Sequence, residues 1–119
     1  VETVDTVPSF DLVILGLGDD GHTASIFPHE IDLWESADLC VVGTHPDSGQ
    51  KRISLSGKVI NHAQRVAFLV TGDGKAEKVK QIIESGKEVA AAYPAAKVKP
   101  LTNNLVWFLD KEAARLLGK

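Results

Sequence analysis

The side chains best suited to chemistry cluster in one short segment, Gly16-Leu17-Gly18-Asp19-Asp20-Gly21-His22. His22 is the natural general base, because an unperturbed imidazole titrates close to neutral pH. Asp20, two residues earlier, can orient that ring or bind substrate hydroxyls. The backbone N–H groups from Gly18 to Gly21 are candidate donors to a developing oxyanion. Two plainer readings of the same residues stay open. Gly-Asp-Asp-Gly is ordinary turn chemistry, with His22 at a helix start, and the residues alone divide evenly between turn and site. Asp19, Asp20 and His22 are also metal-ligand types, but no second His or Cys stands at ligand spacing. The dinucleotide fingerprint fails, since Gly16 and Gly18 are followed by Gly21 and the helix is cut short at Pro28.

A strand must deliver this loop. Phe10 to Leu17 is a continuous apolar run and reads as a buried strand. In an open α/β sheet ligands bind beyond the carboxyl ends of strands, which puts Asp20 and His22 at the reactive rim. Thr23 to Phe27 predicts a short helix stopped by Pro28. Leu39–Thr44 and Arg52–Leu55 are further strand candidates, and Cys40 reads as a small buried hydrophobe. Ser56 to Gln64 has helical spacing, with Ser56 as N-cap. Arg65 to Thr71 is the clearest strand. A helix follows from Asp73 or Gly74, with Ala76, Val79, Ile82 and Ile83 on one face and Ser85-Gly86 at its end. Tyr93 to Pro100 reads as a loop with a turn of helix. Leu105–Leu109 is a last strand, and Asp110 caps a closing helix through Leu117. The order predicts an α/β fold: a mainly parallel sheet flanked by helices.

The chain has 119 residues and a net charge of −3, which lends no support to nucleic-acid binding. No cluster of Lys and Arg marks a membrane surface, and no apolar run reaches a membrane span. A single cysteine forms no internal disulfide, so a reducing, cytoplasmic setting is expected. The chain starts at Val1 and contains no methionine, and its strands are few for a closed three-layer core. A processed chain or a fragment is therefore expected.

The run Leu15 to Pro28, LGLGDDGHTASIFP, resembles the motif of the 6-phosphogluconolactonase family, roughly Leu-Gly-x-Gly-x-Asp-Gly-His-Thr-Ala-Ser-Leu-Phe-Pro. Later segments agree in order: Arg52-Ile53-Ser54-Leu55-Ser56, Val66 to Lys80, and the closing Val106 to Leu117. The resemblance implies hydrolysis of a sugar-phosphate lactone, 6-phospho-glucono-1,5-lactone, with the residue matching His22 activating water and no metal or organic cofactor. It also implies the three-layer fold shared with glucosamine-6-phosphate deaminases and ribose-5-phosphate isomerases, the NagB/RpiA-like fold. The deaminases carry an acid where Phe27 stands, which favours hydrolysis over ring opening.

Lys75 falls where a helix begins, a position suited to phosphate. Read alone it is an exposed lysine beside Lys78 and Lys80; the resemblance implies a phosphate ligand and leaves those two solvated. Arg52 suits a bidentate phosphate or carboxylate contact, and the resemblance implies a substrate role for it. His29, His45 and His62 read as structural or exposed, and Trp34 and Trp107 as core aromatics. The family has about twice this length, and its N-terminal Gly-Gly-Ser phosphate loop and Asp-Glu-Arg segment do not occur here. Residues 1–119 are thus expected to be the C-terminal portion of one lactonase domain. Self-association, or a missing N-terminal segment laid against exposed apolar surface, is expected with it. A sugar-phosphate deaminase or isomerase, and a non-catalytic sugar-phosphate-binding module, are the competing readings.

Overall fold

A computed structural model describes residues 3–118. Its centre is a parallel three-stranded sheet in the order β3-β6-β7, formed by Val13–Leu15, Val66–Val70 and Leu105–Leu109. Parallel neighbours need long crossovers. The connection from β3 to β6 contains an antiparallel hairpin, β4 (Cys40–Thr44) with β5 (Lys51–Leu55), and the short helix α1 (Gly57–Asn61). The connection from β6 to β7 contains α2 (Ala76–Val89) and a 3-10 turn, Pro94–Lys97. A two-residue hairpin, β1 (Thr3–Val4) with β2 (Val7–Pro8), precedes β3.

Alternation along the strands assigns the two faces of the sheet. Leu15, Val66, Phe68 and Val70 point to one side and pack with Val79 and Ile82 of α2 and with Ala95 and Ala96 of the 3-10 turn. Phe68 and Trp107 stack across β6 and β7, ring centroids 4.1 Å apart and 12° from parallel. The opposite face is bare. Ile14, Leu69 and Phe108 are 63%, 60% and 56% exposed, with Leu12, Val106 and Arg65 beside them. In addition, among the described residues no strand lies on the outer edge of β3. The expected covering of both faces is therefore met on one face only.

Several expectations need correcting. Only Val13–Leu15 of the Phe10–Leu17 run is strand, because the run borders the bare face and Leu12 and Ile14 lie outside the core. No helix forms over Thr23 to Phe27. Thr23 and Ile26 instead form an isolated bridge around Ala24, at φ 51°. Pro28 starts a 3-10 segment, Pro28–Glu35, rather than stopping a helix, since proline at the first position loses no needed N–H. Cys40 is on a strand as expected but exposed, because Val41 and Gly43 take the inward positions of β4. Ser56 sits at the start of α1 yet makes no capping bond, and its hydroxyl is buried without a partner among the described residues. Helix α2 runs past Gly86 to Val89, with the expected break reduced to a non-helical Ser85, and Ile83 is 41% exposed. After β7 the chain makes successive turns instead of a helix. Asp110 still caps there, accepting from the Ala113 amide at 2.8 Å, and it also accepts from Gly72 at 3.1 Å. A segment this short has little intrinsic helical stability.

Candidate active site

Strands β3 and β6 are parallel neighbours, with Leu15 opposite Phe68, so their carboxyl ends lie side by side. The loop after β3 carries Asp20 and His22, and the 3-10 turn Asp73–Lys75 after β6 carries Lys75. The sheet thereby joins residues 58 positions apart: the Lys75 ammonium donates to the Leu17 carbonyl at 2.6 Å and pairs with Asp19 at 3.1 Å. Lys75, His22, Gly18 and Ala24 line one open cleft of about 380 Å³ at this rim. A larger cavity of about 480 Å³ lies between α2 and β7, but no histidine lines it.

His22 is held in detail. Its Nδ1 is 2.6 Å from Asp20 Oδ1, and its backbone N–H donates to the same oxygen at 3.0 Å. Partial burial works to raise the Asp20 pKa, but hydrogen bonds from the His22 amide and ring, and the ring's charge, outweigh it and hold the carboxyl below its usual value. An ionised carboxylate only accepts hydrogen bonds, so Nδ1 is the donor to Asp20, and in the neutral ring the lone pair lies on Nε2. No other described residue hydrogen-bonds to Nε2, which is the basic atom.

The loop's own bonds shape this geometry. Gly18 N–H donates to the His22 carbonyl at 2.9 Å, and Gly21 N–H donates to the Gly18 carbonyl at 3.0 Å. Both amides are thus committed within the loop, and these two glycines act by shape rather than by offering free donors. A Cβ on Gly18 would lie 2.0 Å from His22 Nδ1, and one on Gly21, at φ 89°, 2.6 Å from the Tyr93 ring. Gly18→Ala is expected to displace the imidazole. Its Asp20 hydrogen bond, read as the downfield Nδ1 proton in the NMR spectrum, should disappear while the melting temperature changes little. An unmoved resonance would refute this account of Gly18.

Arg52 is not brought to His22. It lies opposite Gly43 in the β4–β5 hairpin, donates from Nε to Gln50 Oε1 at 3.0 Å, and does not line the His22 cleft. Lys78 lies 5.1 Å over the Tyr93 ring rather than in bulk solvent, and Lys80 pairs with Glu84 at 2.7 Å. Trp34 is core, as expected, packed against Gly57. Sequence reasoning missed Thr23, 1% exposed, whose hydroxyl donates to the Gly16 carbonyl at 2.8 Å and closes the loop on the strand end. It also missed Ser54, whose hydroxyl accepts from the Ser25 amide at 3.1 Å. Neither follows any spacing rule; Thr23 was visible only as a polar residue next to His22. Among the described residues no group of three or more His, Cys, Asp or Glu side chains could hold a metal ion.

Fold and site together define a class: an open parallel α/β domain with an acid-paired histidine and a lysine meeting at the carboxyl ends of adjacent strands. The chain belongs to the family described as glucosamine-6-phosphate isomerases/6-phosphogluconolactonase, whose model matches residues 1–107. It is 48% identical to 6-phosphogluconolactonase of Aggregatibacter actinomycetemcomitans over 108 residues, 91% of this chain and 46% of that protein. The Rattus norvegicus 6-phosphogluconolactonase is 48% identical over 115 residues, 96% of this chain and 44% of its own. Among solved structures, the devB protein superposes with a TM-score of 0.90 at 43% identity, covering 98% of this chain and 48% of that one. This chain spans about half the length of the curated relatives it matches.

Proposed function

We propose that this chain supplies the base-bearing portion of a 6-phosphogluconolactonase, a cytoplasmic hydrolase that opens 6-phospho-D-glucono-1,5-lactone to 6-phosphogluconate in the oxidative pentose phosphate pathway. The observation that carries the reading is the Asp20–His22 pair with a free Nε2, in the same cleft as Lys75. A lactone is an activated ester, so a base and an oxyanion site suffice and no cofactor is required. Nε2 takes a proton from water as the water oxygen attacks the lactone carbonyl carbon. Asp20 stabilises the imidazolium that forms. The Asp19 and Asp20 amides, which donate to no other residue among the described ones, are the loop donors left for the oxyanion. Collapse of the tetrahedral intermediate breaks the ring C–O bond, and the imidazolium returns its proton to the departing ring oxygen. Lys75 holds the phosphate, giving up Asp19 and Leu17 to do so. Arg52 joins it as a substrate contact only if the hairpin shifts toward the cleft. Phe27, 1% exposed, leaves no carboxylate to assist ring opening at its position, which supports hydrolysis over deamination.

We further propose that residues 1–119 form the C-terminal portion of the enzyme, with the rest of the family's chain laid against the bare face and the open β3 edge. The apolar exposure of Ile14, Leu69 and Phe108 and the half-length match support this. The test compares this chain alone with this chain joined to the unmatched portion of the Aggregatibacter relative. The joined protein should hydrolyse 6-phosphogluconolactone well above the spontaneous rate and leave glucosamine 6-phosphate untouched, while the chain alone stays near background. Deamination by the joined protein would overturn the hydrolase reading, and full activity of the chain alone would overturn the incompleteness.

A further inference from the structure

Phe27 is buried at the middle of three histidines. Its ring centroid is 4.6 Å from that of His22, tilted by 41°. His45 meets it edge-on at 5.5 Å and 71°. His45 is itself fixed by the turn that joins β4 to β5. Its Nδ1 accepts from the Asp47 and Ser48 amides, each at 3.2 Å. Its backbone N–H donates to the Gln50 carbonyl at 2.9 Å, and its carbonyl accepts from Gly49 at 3.0 Å. On the other side, Glu30 accepts from the Thr44 amide at 2.7 Å, which ties the segment after Phe27 to strand β4.

From this chain of contacts we infer that Phe27 and His45 are positioning residues for the His22 base, acting as a prop that transmits the rigidity of the β4–β5 turn to the imidazole. The inference rests on the reading of His22 as the base. Asp20 fixes one ring nitrogen and Gly18 leaves room for the ring, but one hydrogen bond to a side chain that is half-exposed leaves the ring free to swing about it. A packed aromatic wall removes that freedom. General-base catalysis depends on such placement, and an error of about 1 Å can cost about 100-fold in rate. The two turn amides occupy Nδ1 of His45, so its role here is packing and turn closure.

The test has one readout that needs no turnover. In the 119-residue chain with labelled histidines, His22 should show a single Nδ1–H tautomer in heteronuclear NMR spectra. Phe27→Leu keeps the volume apolar and is expected to convert this to an exchange-averaged signal. In the joined enzyme the same change should lower kcat about 10-fold or more with KM within about twofold. His45→Asn keeps an acceptor for the turn amides but removes the ring, and should lower kcat in the same sense. His45→Phe restores a ring and should recover most of the rate. A single unchanged His22 tautomer in both Phe27→Leu and His45→Asn would overturn the inference, as would equal kcat in all three variants. If the joined enzyme has no lactonase activity, the proposed function fails while the tautomer measurement still decides the prop.

Discussion

Replacing His22 with alanine is expected to remove about 10²- to 10⁴-fold of the lactone hydrolysis rate of the joined enzyme, the range that a positioned general base contributes. Lys75 keeps its contacts to Leu17 and Asp19 in this variant, so KM should move little. Steady-state hydrolysis measured against the spontaneous rate checks it, and a retained kcat would remove the base assignment. The pH dependence has a definite sign. Asp20 has its pKa held below 3.8, so it is ionised throughout the neutral range and the His22 ring keeps its acceptor there. A depressed carboxyl adds stability above its unfolded pKa and loses it as pH falls through the folded value. The Asp20–His22 pair therefore weakens only in acid well below the working range.

Phe68→Ala should be the most damaging single change to folding. Phe68 is fully buried on the central strand and stacked on Trp107. Truncations of buried phenylalanine cost about 3–5 kcal/mol, against about 5–15 kcal/mol for a whole domain. Here the sheet has only one covered face, so there is less remaining packing to absorb the loss. Urea unfolding followed by circular dichroism should show the midpoint falling sharply or the cooperative transition disappearing. A shift worth less than about 1 kcal/mol would mean that β6 is not the centre of the core.

The sequence made the sheet and the His22 loop legible for the same reason. Runs such as Val66–Val70 and Leu105–Leu109 are apolar, β-rich and bounded by turn residues, and both are strands. His22 stood out because its loop follows such a run directly. Lys75 joins it through the parallel pairing of β3 with β6, a neighbour relation that chain order does not give, because β4 and β5 lie between them in the chain and form a separate hairpin. What the sequence hid was orientation. Cys40 and Ile83 are apolar types at periodic positions, yet both face outward, because each sits one step off the inward row of its element. The strand carrying the site was read too long, since apolar character at Leu12 and Ile14 marks the bare face rather than the core. Thr23, Tyr93 and His45 were invisible as supports because each acts through a contact between segments distant in sequence or through loop geometry without a period. Gly18 and Gly21 were singled out as backbone donors, whereas their amides are bonded within the loop and their lack of a side chain is what the geometry uses.

The outward turn of Cys40 makes this chain addressable at one chosen point. It is the only thiol, it is exposed, and it lies opposite Leu55 at the end of the hairpin away from the His45 turn. A maleimide fluorophore or nitroxide attached there needs no cysteine to be removed first and touches neither Asp20 nor Lys75. With Trp34 buried beneath α1 as an intrinsic donor, energy transfer to that label would follow the hairpin relative to the body of the chain while substrate enters the cleft.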